Sequence, residues 1–267
     1  MKNFDPIGSW DADTASHYET YVRGDEEDAS AFLARYAAGG NALEFAIGTG
    51  RIAIPLMKKG VQVDGIESSP QMVDGLRTRA ANDGITEEIK AQIGDMSVTS
   101  MDQQYKLVYL VFNTIYNLLT ADDQIRCFEN AARHLTADGH FVVEAFMPHA
   151  VIPFGQSDYV RAEHVGTNRV SFDVARYDPV TQFLEENHVH LTEDGIKMNP
   201  IVCRLISPGE MDLMARIAGM RLVDRFADWK RGVFDASSTM HVSVYATSPQ
   251  NYSTPKSYQN VAPHDRC

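Results

Sequence analysis

The sequence predicts an α/β fold: a doubly wound, mostly parallel seven-stranded sheet with an antiparallel β arm inserted towards its end. Three observations carry the prediction. Strand-like and helix-like segments alternate from residue 41 to 148, the pattern of a parallel sheet flanked by helices. Past Pro148, residues 158–206 turn to two-residue alternation without helix signals. Helical spacing returns at Ser207, and two last strand-like runs follow.

In order, residues 12–36 read as two helices, the second (DEEDASAFLARYAA) opening on acids that the positive end of a helix dipole favours. NALEFAI is the first strand, GRIAIPLMKKG a helix closed by Gly60, and VQVDGIE the second strand. SSPQMVDGLRTRAAND follows as a helix, with Ser68 or Ser69 as its cap and Pro70 in its first turn. EIKAQIGDM and YKLVYLVFN are strands three and four, ADDQIRCFENAARHL a helix and GHFVVEAFMP strand five. In the arm, ARYDPVTQFLEENHVHL reads as two strands joined by a turn with Pro179 in its second position. SPGEMDLMARIAGM is a helix with Ser207 as cap and Gly219 near its stop, and RLVDRFADW and MHVSVYATS complete the seven strands. The chain thus divides into an N-terminal helical cap (1–38), a core (39–149 and 207–248), the arm (150–206) and a polar tail (249–267).

Composition narrows the function. A formal charge of −12, from 24 Lys and Arg against 36 Asp and Glu, argues against a broad phosphate-binding surface, so nucleic acid is not an expected partner. Three widely spaced cysteines suit neither a disulfide framework nor a zinc site and point to a reducing compartment. No stretch has the apolar length of a signal peptide or membrane span, so a soluble cytoplasmic protein without a membrane partner is expected, with a homodimer open.

The ligand signal lies in EFAIGTGRIAIPL, residues 44–56. Gly48-Thr49-Gly50-Arg51-Ile52-Ala53 fits G-x-G-x-x-G/A, a turn whose glycines let the backbone approach a nucleotide-like ligand at a helix start. Glu67 ends strand two, 17 residues after Gly50, where a carboxylate can accept both ribose hydroxyls. Gly94-Asp95-Met96 follows strand three. In this order of elements and motifs the chain resembles the class I S-adenosylmethionine-dependent methyltransferases of small-molecule type, over roughly residues 10–248. It departs in having Ala46 where the first motif usually has glycine. The resemblance implies a Rossmann-like core closed by an antiparallel hairpin, S-adenosylmethionine as cofactor, and methylation of an oxygen or nitrogen of a small metabolite. It also implies a cofactor set of Glu44, Ala46, Gly48, Gly50, Arg51, Glu67, Ser68, Met72, Asp95, Met96 and Asn113. Tyr18 and Tyr21, three apart on an N-terminal helix, would close over the cofactor, and Arg51 would meet its carboxylate. Alternatives are a protein that binds S-adenosylmethionine without transferring methyl, or an NAD(P)-dependent oxidoreductase. The closing strands, and the lack of a credible hydride-transfer set such as Tyr-x-x-x-Lys on a helix, favour the methyltransferase.

Methyl transfer needs an aligned nucleophile, exclusion of water and somewhere for a proton to go. His149 follows strand five on the ligand rim, Tyr116 lies past strand four, and Glu144 is a carboxylate among apolar neighbours; these three are the catalytic candidates. Glu144 could equally bind a loop amide. FNTIYNLL lacks the [D/N]-P-P-[Y/F/W] pattern of methylation on nucleic-acid bases, which favours a small-molecule substrate. His188 and His190 alternate onto one face of an arm strand, but with no third ligand at useful spacing they read as solvent-facing, and no metal is expected.

Overall fold

The computed structural model describes residues 1, 4, 23–85, 89–152 and 155–248. The first expected N-terminal helix, with Tyr18 and Tyr21, and the expected tail lie outside them. The core runs α1 (Glu26–Ala37), β1 (Ala42–Phe45), α2 (Ala53–Met57), β2 (Val63–Glu67), α3 (Pro70–Asn82), β3 (Ala91–Ile93), β4 (Tyr105–Leu110), α4 (Ala121–His134), β5 (Leu135–Phe146) and the short α5 (Pro148–Val151). The arm is β6 (Asp158–Val165), β7 (Arg169–Asp178), β8 (Phe183–Thr192) and β9 (Gly195–Arg204). The chain then returns to the core with α6 (Pro208–Ile217), β10 (Met220–Phe226) and β11 (Met240–Thr247).

Local chemistry sets the helix ends. Ser69 Oγ accepts from Met72 N with Pro70 in the first turn, and Ser207 and Glu210 form a reciprocal capping box at the start of α6. Gly60 and Gly219 stop their helices at φ 84° and 77°, where a Cβ would be strained.

The seven-stranded sheet has the order β10-β11-β5-β4-β1-β2-β3. Strands β1 to β5 are mutually parallel, and β11 pairs antiparallel with β5 and with β10, forming the closing hairpin that the resemblance implies. Both faces are buried. Leu43 and Phe45 of β1 join one apolar cluster with Phe128, Phe141 and Met211, while Ala42 joins another with Phe32, Ile54 and Trp229. Burial of alternate residues on opposite faces is what makes these strands read as near-continuous apolar runs.

The arm is a four-stranded antiparallel sheet, β6-β7-β8-β9. The sequence pattern marks its central hairpin, and the structure adds a strand on each side. DYVRAEHV and GIKMNPIVCR mix polar and apolar residues on both faces, so local alternation reveals them only weakly. The arm shares the core's interior: Tyr159, Ala175, Leu184, Cys203 and Leu205 belong to the cluster around Phe141 and Tyr245. Among the described residues no helix is long and apolar enough to cross a membrane.

Candidate active site

Strand order reverses at β1, whose neighbours β4 and β2 feed loops away to either side, so the carboxyl ends of β1, β2 and β4 open a crevice. The loop from β1 bends sharply there, with Ala46, Gly48 and Gly50 at φ 52°, 56° and 79°. Ala46 therefore takes the left-handed conformation that explains the usual glycine, at a strain of about 1–2 kcal/mol. The two glycines serve different ends. A Cβ on Gly50 would run into Leu76 Cδ1 and lie 3.2 Å from Ile54 Cδ1, whereas a Cβ on Gly48 would meet nothing nearer than Ala46 O at 4.0 Å. Gly50 lets the turn pack on its helices; Gly48 leaves space open at the crevice.

Glu67, 6% exposed at the end of β2, accepts from Gly48 N and Ser69 N, each at 2.9 Å, and from Ser68 Oγ at 3.3 Å. The carboxylate thus ties the glycine turn to the start of α3, and Oε2 keeps a second lone pair for a ligand. Glu44 is fully buried and accepts from Tyr109 Oη at 2.8 Å; burial pushes its carboxyl up to about 8 against that hydrogen bond. Arg51 Nη1 reaches Asp25 Oδ1 at 2.7 Å and Glu26 Oε1 at 3.3 Å, so it anchors the approach to α1 from within the crevice. Asp95 Oδ1 accepts from Ser97 N at 2.7 Å, and beside it the Met96 and Met72 side chains are buried.

At the β4 and β5 edge, Phe112 and Asn113 are both left-handed, at φ 59° and 61°. Three hydrogen bonds hold this bend: Phe112 N to Glu144 Oε2 at 2.8 Å, Asn113 N to Glu144 O at 3.2 Å, and Phe146 N to Asn113 Oδ1 at 2.5 Å. Glu144 is thereby assigned to the loop amide. Burial raises its pKa against the Phe112 hydrogen bond, and the side chain lies under the loop rather than in the crevice.

One cavity of about 560 Å3 gathers the site. From the expected cofactor set it is lined by Glu44, Ala46, Gly48, Arg51, Glu67, Ser68, Met72, Asp95, Met96 and Asn113; Gly50 packs beneath. The three catalytic candidates do not line it. Tyr116 is fully buried, its hydroxyl facing Phe146 O at 2.7 Å and Ile206 O at 3.2 Å, because the one-turn helix at Thr114–Asn117 rotates it into the core. His149 is exposed on α5, a single turn of helix, and is not among the residues that line the cavity.

The opposite wall is the arm, contributing Arg161, Glu163, Asp173, Glu186, His188 and Cys203. His188 is a correction to the solvent-facing expectation. Its Nδ1 lies 2.5 Å from Asp173 Oδ1 and 3.7 Å from Glu186 Oε1. The partners come from another strand or two residues back, so the spacing between the histidines does not announce them. His190, by contrast, faces Ser171 Oγ at 2.8 Å. The signal available in the sequence was the i, i+2 pairs Arg161/Glu163 and Glu186/His188, which place charges on one face.

The residues fit the ligand that the resemblance implies. Open space at Gly48 admits a close approach, Glu67 and Asp95 offer acceptors for hydroxyl and amino groups, and Ile66, Met72 and Met96 offer apolar packing for a ring. A bound S-adenosylmethionine would supply a methyl group made reactive by its sulfonium.

The family model for a methyltransferase domain matches residues 42–139. YqeM of Bacillus subtilis (strain 168) is 31% identical over 101 residues, which span 38% of this chain and 40% of that relative's length. CalS10 of Micromonospora echinaspora, an amino pentose methyltransferase solved with S-adenosylmethionine, has the same fold, with a TM-score of 0.64 at 19% identity over 92% of this chain and 100% of its own. The CcbJ methyltransferase of Streptomyces caelestis superposes with a TM-score of 0.84 at 35% identity, covering 92% of this chain and 100% of its own. By that full-length identity, and by a glycine turn, carboxylates and closing hairpin where the family has them, the chain belongs to the class I S-adenosylmethionine-dependent methyltransferases.

Proposed function

We propose that the protein transfers the methyl group of S-adenosylmethionine to an oxygen or nitrogen of a small metabolite. The observation that carries this reading is the shared cavity: the glycine turn, Glu67 and Asp95 form one wall, and the arm forms the other. Covering by the arm suits a small acceptor held between two rigid sheets and would exclude water from the reacting atoms. Glu67 holds the ribose through its spare acceptor capacity, Asp95 and Met96 the adenine, and Asn113, which lines the same cavity, sits next to where the methyl group would project. Two free, buried cysteines, Cys127 and Cys203, fit work in a reducing cytoplasm. The acidic net charge fits a partner other than nucleic acid.

The test begins with thermal melts. S-adenosylhomocysteine should stabilise the protein by about 2.7 kcal/mol at a hundredfold excess over its dissociation constant, and NAD should do little. Transfer of labelled methyl from S-adenosylmethionine to a panel of small amines and alcohols follows. Stabilisation by NAD and none by S-adenosylhomocysteine overturns the reading.

A further inference from the structure

The arm's inner face carries a row that the cofactor wall does not explain. Register places Arg161 of β6 opposite Asp173 of β7, Asp173 opposite His188 of β8, and His188 opposite Asn199 of β9. Asp173 is 2% exposed, and both its oxygens are engaged: Oδ1 by His188 Nδ1 at 2.5 Å, Oδ2 by Arg161 Nη2 at 3.3 Å. The carboxylate is thus fixed in place by a guanidinium on one side and orients the imidazole on the other. With Nδ1–H donating to Asp173, the neutral ring presents Nε2 as an acceptor, on a side chain that lines the cavity and is 43% exposed.

We propose that His188 is the proton acceptor of methyl transfer and that Asp173 is its positioning residue. This rests on the methyltransferase reading of the same cavity. The acceptor's lone pair forms the bond to the methyl carbon, and the carbon–sulfur bond breaks with its pair left on sulfur. The proton lost from the acceptor nitrogen or oxygen passes to Nε2. The resulting imidazolium faces Asp173, so its charge is matched where it forms.

The groups facing His188 support this role. Asp173 on β7, Glu186 on its own strand and Glu163 on β6 surround it, Arg161 offsets part of their charge, and β9 presents the uncharged Asn199. Glu67 and Asp95 line the cavity's far wall. The hydrogen bond to Asp173 raises the His188 pKa, with burial opposing and Glu186 adding to the rise. Burial would raise Asp173, but the His188 hydrogen bond and charge outweigh it and keep the carboxyl ionised. The sequence offers His149 for this task, after strand five on the ligand rim; the cavity is lined by His188 of the arm instead.

The test uses the full chain with His188→Gln and Asp173→Asn. Calorimetry with S-adenosylhomocysteine should give affinities within about threefold of the unsubstituted protein in both, since the wall that binds it is untouched; no binding to the unsubstituted protein would instead sink the methyltransferase reading. Methyl transfer to the acceptor found in the panel should fall at least about a hundredfold in His188→Gln. In Asp173→Asn the acid limb of the pH–rate profile should move to lower pH, because the imidazole loses the partner that raises it. Side-chain NMR of His188 needs no acceptor: neutral His188 should carry its proton on Nδ1, and its titration should shift down by at least about one unit, or tenfold, in Asp173→Asn. A His188 titration indifferent to Asp173→Asn, or turnover within threefold in His188→Gln, overturns the proposal. So does turnover that requires Mg2+ and is abolished by a chelator, which would give Asp173, Glu186 and His188 to a cation.

Discussion

Gly48 and Gly50 look alike in the sequence, yet the structure separates them. Gly50→Ala forces a methyl group into Leu76 at φ 79°, and should destabilise the fold by about 2 kcal/mol or more, read by urea denaturation. Gly48→Ala incurs about 1–2 kcal/mol for its left-handed backbone, meets open space, and should weaken S-adenosylhomocysteine at least tenfold by filling the approach. Equal losses of stability in the two variants would contradict this division. Glu44 offers a second residue-scale test. Its folded pKa of about 8 lies above the ordinary 4.5, so the folded state holds a proton that the unfolded state releases. That contribution is fully present below pH 4.5 and is lost as pH rises towards 8. Stability relative to Glu44→Gln should therefore fall across this window, by at most about 1.4 kcal/mol per pH unit in denaturation at stepped pH. A flat difference would mean that Glu44 is ionised throughout. At this scale the sequence marked most of the residues that line one side of the cavity, because all but Asn113 lie in three short stretches. For Glu144 the loop amide was one of the two roles its sequence setting allows, and the bend at two left-handed residues decides for it; Tyr116 and His149 lay beyond reach, since one turn of 3-10 helix and one turn of α-helix decide where they sit.

The bend after β4 rests on three hydrogen bonds, two of them to Glu144. Two consecutive non-glycine residues in the left-handed region persist only where the surroundings hold them, and Glu144 Oε2 accepts the hydrogen bond that Phe112 N donates. Glu144→Ala removes the acceptor of the Phe112 N–H and should cost about 1–3 kcal/mol, with weaker S-adenosylhomocysteine binding because Phe112 and Asn113 line the cavity. Glu144→Gln keeps an acceptor and should recover most of both; failure to recover would mean that the carboxylate has a task beyond the amide. Element by element, helices with a serine cap and a stop glycine were legible, as was the central hairpin of the arm. The outer arm strands were not, because their partners fix them: Arg161, Asp173 and His188 become neighbours only through register across β6, β7 and β8.

For the whole molecule, the interior that joins the arm to the core decides how the protein unfolds. Tyr159, Ala175, Leu184 and Cys203 are buried in the same cluster as Phe141 and Tyr245, and Gln124 of α4 donates to Arg204 O at 3.1 Å. Calorimetry of the full chain should show one transition with matching van't Hoff and calorimetric enthalpies; a separate early transition would mean that the arm melts alone. The alternation of strands and helices announced the doubly wound sheet, whereas the arm's fusion to its interior depends on contacts between distant segments that no local pattern encodes.

The charged row on the arm has a consequence for how such a protein diversifies. Its members sit on regular strands whose pairing is set by backbone hydrogen bonds, so exchanging one side chain alters what the cavity accepts and leaves the strand ladder in place. The cavity wall around the glycine turn is encoded between residues 44 and 113, and the row between 161 and 199. Mutation can therefore explore new acceptors in one stretch of chain while selection holds the other wall fixed, and an engineer could randomise positions 161, 163 and 186 as a self-contained library with Asp173 and His188 kept.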